Sequence, residues 1–167
     1  MEKQNIYQDI SARTGGEIYL GVVGPVRSGK STFIKRFMEL LVLPEIKDEN
    51  ERKRTMDELP QSGTGKMVMT TEPKFIPKEA AELPMEDMKI KIRLIDCVGF
   101  MIPGAGGNLE NGQERLVKTP WFDYEVPFTK AAEFGTRKVI RDHSTIGILV
   151  TADGSFGEIP RDSYVEA

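Results

Sequence analysis

The chain has 167 residues, 39% of them hydrophobic, which is enough for one buried core and too few for two. Its single cysteine, Cys97, excludes an internal disulfide, and no run approaches the roughly 18 apolar residues that cross a bilayer. A net charge of −3 builds in no general attraction to nucleic acid or anionic lipid, so no nucleic-acid partner is expected and any partner must be recognised locally.

The start, "MEKQNIYQDISARTGGE", is polar and lacks the apolar stretch of a secretory signal, which points to a reduced cytoplasmic compartment. Residues 1–16 read as a polar amino-terminal extension and residues 17–167 as one domain. In "EIYLGVVG", Ile18, Leu20, Val22 and Val23 mark a short buried strand. "GPVRSGKST" follows at residues 24–32 and holds the spacing G-x-x-x-x-G-K-S. Then "STFIKRFMELLVLP" places Phe33, Ile34, Phe37, Met38 and Leu41 on one face of a helix that ends before Pro44.

Strand, glycine loop and helix are the setting a phosphate-binding loop requires. Gly24 and Gly29 admit backbone angles and close approaches that a side chain would block. The stretch Gly24, Pro25, Val26, Arg27, Ser28 and Gly29, continuing into Thr32, can therefore turn its backbone NH groups toward phosphates. Lys30, opening an exposed helix, would set its ammonium at the β- and γ-phosphates, and Ser31 would give a hydroxyl to Mg²⁺. The bland alternative is a chance glycine turn, and the flanking strand and helix argue against it.

"KDENERKRTMDEL" reads as a solvated charged helix. "QSGTGKMVMTTEPKF" imitates a second phosphate loop, but "MVMTT" favours β structure, Pro73 and Pro77 follow, and no helix opens after Lys66. Its threonines matter more. In phosphate-loop switches a threonine between the first helix and the second strand bonds Mg²⁺ and the γ-phosphate, and Thr70 and Thr71 stand there, Thr71 as the metal ligand. The competing reading is two β-favouring residues entering an edge strand.

In "MKIKIRLIDCVGF", Ile90, Ile92 and Leu94 alternate with Lys89, Lys91 and Arg93, a pattern suited to the antiparallel margin of a sheet. Asp96 at the carboxyl end of that strand faces the place where ligands bind in open α/β sheets and can hold Mg²⁺. Gly99 can bring its NH to the γ-phosphate. The next position often carries a glutamine that orients the attacking water; here it is Phe100, so hydrolysis lacks its usual positioning group.

Residues 101–128 read as a long loop rich in Gly, Pro and Asn, then in aromatics, with Trp121, Phe122 and Tyr124 either docking a partner or capping the core. "FTKAAEFGTRKVIRDH" reads as a helix weakened at Gly135, and "STIGILVTADGS" as a following buried strand. His143 and Cys97 read as structural.

"GEIYLGVVGPVRSGKSTFIKRFMELLVLP", "MVMTTEPKFIP", "KIRLIDCVGF" and "PWFDYEVPFTKAAEFGTRKVIRDHSTIGILVTADGS" together resemble the amino-terminal domain of the stage IV sporulation protein A family. That resemblance implies a translation-factor-related, GTPase-like phosphate-loop NTPase: α/β, three-layered, its sheet mostly parallel with an antiparallel margin. It implies an ATPase using ATP and Mg²⁺, with Lys30 the phosphate-binding lysine, Thr70 and Thr71 the sensor threonines, and Asp96 the metal-associated acid. It further implies self-association into a polymer on the outer forespore surface in the mother cell, as the base for other spore coat proteins. Contact with the forespore membrane surface would be peripheral and through a partner. Family proteins are much longer, so the expectation is a domain incomplete at its carboxyl end. The N-K-x-D base-reading motif of GTPases is absent, and "TADG" at residues 151–154 follows the wrong strand to replace it. A GTPase switch, such as a ribosome-assembly factor, and a nucleotide-binding scaffold with little turnover are the rival readings.

Overall fold

The structure is a computed structural model that describes residues 12–61, 71–85, 88–154 and 159–166. β1 (Glu17–Val23) leads through the glycine loop into α1 (Lys30–Phe37), which continues as a π-helical turn at Met38–Val42 and a 3-10 turn at Leu43–Glu45. α2 (Glu49–Asp57) is the charged run, capped by Asp48, whose carboxylate accepts from the Glu51 NH at 2.7 Å. β2 (Lys74–Met85) and β3 (Met88–Asp96) follow, then two small hairpins, β4 (Leu109–Glu110) with β5 (Gln113–Glu114) and β6 (Leu116–Thr119) with β7 (Phe122–Pro127). α3 (Phe128–Lys138) runs into a second π-helical turn at Val139–His143, and β8 (Ile146–Leu149) and α4 (Arg161–Glu166) end the described chain.

The main sheet has the order β2–β3–β1–β8. β1 is parallel to both β3 and β8, while β2 is antiparallel to β3 with a bulge between Ile76 and Ala81. This is the mixed α/β sheet with an antiparallel margin that the sequence leads one to expect. Strand alternation assigns its faces. Leu20 and Val22 of β1, with Ile90, Ile92 and Leu94 of β3, pack against Ile34, Met38 and Val42 of the first helical run. Val23 and Ile95 pack with Cys97 and Val139 in a separate cluster that also takes in Tyr19. Helical segments thus cover both faces. α1 has eight residues, too few to persist alone, and fully burying Ile34 and Met38 supplies about 3–6 kcal/mol to hold it.

Three expectations need correction. The sequence pattern puts Leu41 on the buried face of the first helix, but it is 56% exposed and Val42 is buried instead. The π-helical turn inserts a residue there and rotates the pattern by one position. The last strand is not buried: Ile146 and Leu149 of β8 are 40% and 70% exposed, because β8 pairs only with β1 and forms the sheet edge among the described residues. Residues 101–128 are not one loop, since they contain both small hairpins. Asn111 and Gly112, with φ of 52° and 78°, form the tight turn of the first. No helix among the described residues is long and apolar enough to cross a membrane.

Candidate functional site

The parallel register sets Val22 beside Asp96, so the loop leaving β1 and the segment leaving β3 emerge side by side. They stay joined. Pro25 and Phe100 form a parallel bridge, and the Val26 NH donates to the Phe100 carbonyl at 2.9 Å. Gly24, Pro25, Val26 and Ser28 are buried, whereas Arg27 and Gly29 are exposed. Arg27 and Gly29 have φ of 61° and 95°, and this left-handed backbone turns the chain into α1. Space around the Gly29 Cβ position is open, with nothing within 4 Å.

Lys30 is not on an exposed helix start, as the sequence suggests; only 5% of it is accessible. Its Nζ folds back to donate to the Pro25 carbonyl at 2.6 Å, inside the loop. Gly99 makes this possible. A Cβ there would lie 2.1 Å from the Gly24 carbonyl oxygen and 2.6 Å from Lys30 Nζ. Burial pushes the Lys30 ammonium below the ordinary lysine range, opposed by its closeness to the ionisable Cys97 and Asp96 side chains.

The Ser31 hydroxyl donates to Asp96 Oδ2 at 2.9 Å, joining the first turn of α1 to the end of β3. Asp96 Oδ1 is cut off from solvent and has no hydrogen-bond partner, and the same is true of Ser28 Oγ. Burial raises the Asp96 pKa, while the Ser31 hydroxyl and the charges of Lys30 and Lys74 pull it back. A buried carboxylate oxygen without a donor, beside a serine hydroxyl, suits a hard cation that takes oxygen ligands. No cluster of three or more His, Cys, Asp or Glu that could hold a metal occurs among the described residues. Ser31 and Asp96 thus fit Mg²⁺ in the manner in which that ion is usually held, by one or two protein oxygens together with substrate phosphates.

The structure therefore brings Lys30, Ser31, Asp96, Gly99 and the loop Gly24–Gly29 into one place. Thr32 is exposed on the first turn of α1. Thr71 is only 4% exposed and is not hydrogen-bonded to Ser31 or Asp96; its carbonyl lies against Gly135 of α3. Thr70 and the imitation loop at residues 62–66 lie outside the described residues. Phe100 packs with Val26, Ile102, Ala105, Ile159 and Tyr164 in an apolar cluster beside the loop. Cys97 is buried, its Sγ 3.5 Å from the Val22 carbonyl, and burial raises its pKa, in keeping with a structural role. His143 lies edge-on to Phe75 at 5.5 Å. Sequence reasoning missed two contacts, the Pro25 carbonyl as acceptor for Lys30 and the Val26–Phe100 bond. Both are backbone interactions and leave no residue-type signal.

The chain matches the family described as "Stage IV sporulation protein A, ATPase domain" over residues 1–167. It is 55% identical over 168 residues to stage IV sporulation protein A of Bacillus anthracis and 56% identical over 168 residues to that of Bacillus subtilis (strain 168), covering all of this chain and 34% of each relative. Against the protein of that name in Clostridioides difficile (strain 630) it is 58% identical over 163 residues, 97% of this chain and 33% of the relative. The chain thus spans about a third of the length of these relatives. No solved structure matches it significantly.

Proposed function

This chain belongs to the ATPase-domain family of stage IV sporulation protein A, and we propose that it binds ATP with Mg²⁺ and hydrolyses it by transferring the γ-phosphoryl group to water. The carrying observation is the Lys30 ammonium, buried inside a left-handed glycine loop and parked on the Pro25 carbonyl beside the Ser31–Asp96 pair. The fold we assign is the three-layer phosphate-loop NTPase, and the sheet order and the position of the loop at the end of β1 support it.

Lys30 exchanges the Pro25 carbonyl for the β- and γ-phosphates, a stronger charge-assisted acceptor, so binding need not expose a buried charge. The loop NH groups and the amino end of α1 stabilise charge that builds on the phosphate oxygens. Ser31 and Asp96 would hold Mg²⁺, which when bound would supply further neutralisation of that charge. Thr71, with Thr70, senses the γ-phosphate, and Gly99 presents its NH to it. Phe100 cannot orient water, and its packing in the apolar cluster favours slow turnover unless another subunit supplies the group. That same packing favours the rival reading of a nucleotide-binding scaffold with little turnover.

ATP rather than GTP follows from the family's description. In the longer protein, the domain drives self-association into a polymer on the outer forespore surface of the mother cell. That polymer is the base for other coat proteins and meets the membrane surface through a partner. The test is calorimetric titration of ATP and GTP in the presence of Mg²⁺ against the parent and Lys30→Ala, with phosphate release measured in parallel. Saturable, Lys30-dependent ATP binding is expected; equal binding by the parent and the variant would overturn the assignment.

A further inference from the structure

Gly135 lies in the interior of α3, where glycine is less favourable than alanine by about 1 kcal/mol. Its surroundings supply a reason for that cost. A Cβ at Gly135 would lie 2.7 Å from the Thr71 carbonyl oxygen and 3.1 Å from the Trp121 ring. The first neighbour is a backbone atom that cannot swing aside. The second belongs to a ring packed against Phe134, centroid to centroid 5.3 Å, at the turn of the β6–β7 hairpin. Thr71 and Trp121 therefore touch the same point of α3, and Thr71 is almost wholly buried there. Three residues later Lys74 pairs with Asp96, so the chain between this contact and the metal-side carboxylate is short.

We infer that Gly135 and Trp121 form the seat that positions Thr71, so that the β6–β7 hairpin and α3 set where the sensor hydroxyl can reach. This rests on the nucleotide reading above and extends it to residues outside the phosphate-loop motifs. Gly135 and Trp121 are positioning residues: neither contacts the nucleotide, and both act through the Thr71 backbone. A methyl at Gly135 needs the Thr71 carbonyl to retreat from 2.7 Å to an ordinary contact of 3.4 Å or more. A displacement approaching 1 Å at a group that acts on the reacting phosphoryl lowers a rate by about tenfold to a hundredfold. The ground-state affinity, which rests on Lys30 and the loop, is untouched.

The experiment compares the intact protein, Gly135→Ala, Thr71→Ala and the double variant. Expected are a fall in kcat of about tenfold to a hundredfold for Gly135→Ala with ATP affinity unchanged by calorimetry, and no further fall when it is added to Thr71→Ala. A folded Gly135→Ala protein with parental kcat, or effects that multiply in the double variant, would overturn the inference. Should Gly135→Ala not fold, Trp121 emission decides, taken as the difference between the parent and Trp121→Phe. It should shift when Mg²⁺ and ATP are added, and an unchanged emission with ATP bound refutes the seat alone. Absence of ATP binding by the parent overturns the nucleotide reading, and the seat with it.

Discussion

Gly99 and Gly104 share a positive φ and differ in their surroundings, which lets strain and contact be measured apart. Their φ values are +88° and +85°. An alanine at Gly104 meets nothing within 4 Å, so Gly104→Ala carries only the left-handed conformation of a non-glycine residue, about 1–2 kcal/mol. An alanine at Gly99 carries the same strain and adds a methyl 2.1 Å from a backbone carbonyl oxygen. Relief of such overpacking costs about 1–3 kcal/mol more. The total of about 2–5 kcal/mol is a large part of the roughly 5–15 kcal/mol that keeps a domain folded. At about 2–4 °C per kcal/mol, melting should fall by about 4–20 °C for Gly99→Ala and about 2–8 °C for Gly104→Ala. Thermal melts by circular dichroism measure this, and calorimetry should show weakened ATP binding for Gly99→Ala alone, because the new methyl also crowds Lys30 Nζ. Equal melting points for the two variants, or parental ATP affinity in Gly99→Ala, would refute the close approach as the reason for glycine at position 99.

Lys30→Ala should weaken ATP binding in calorimetry by about a hundredfold, the worth of one or two charge-assisted hydrogen bonds, and should lower the melting point by a few degrees, about 2–4 °C per kcal/mol, because the buried Pro25 carbonyl loses its donor at a cost of about 1–3 kcal/mol. Asp96 titrates above the ordinary carboxylate range because of burial, so its favourable share of stability is present below its unfolded pKa and is lost as pH rises through the folded one. Asp96→Asn should therefore raise the neutral-pH stability of the nucleotide-free protein in urea melts and abolish the loss of Mg²⁺-dependent ATP affinity on acidification; a less stable variant would contradict this. If the water-positioning group is supplied by a neighbouring subunit, at a worth of about 10³ in rate, specific ATPase activity of the intact protein should climb across the assembly threshold, and a flat concentration series rules that out.

The parts of this site that were legible in the sequence are those whose chemistry demands a residue type at a fixed spacing. Lys30 and Ser31 follow from the glycine loop, Asp96 from the end of an alternating strand, and the structure sets all three together without help from any distant signal. What was misread depends on geometry that spacing does not encode. Leu41 was misplaced because a π-helical turn shifts the period by one, and the exposed edge at β8 because burial of a short apolar strand depends on its neighbours. The β4–β5 hairpin was legible and missed: Asn111-Gly112 is the strongest short-range hairpin signal there is, here flanked by strands of only two residues each.

Gly135 is the instructive case, because local propensity counts it as a weakness of α3 and the tertiary structure makes it a requirement. A helix of eleven residues can carry one glycine at about 1 kcal/mol, whereas any side chain at that position displaces either the Thr71 carbonyl or the Trp121 ring. Phe100 inverts its sequence reading in the same way. Read alone, it is the absence of a glutamine; in the structure its backbone carbonyl fixes the glycine loop through Val26 while its ring fills the cluster with Ile102 and Tyr164. A glutamine at position 100 would keep the backbone bond and lose the apolar packing. The side chain there is therefore committed to the apolar cluster, and under the proposed hydrolysis the water-orienting group lies outside it.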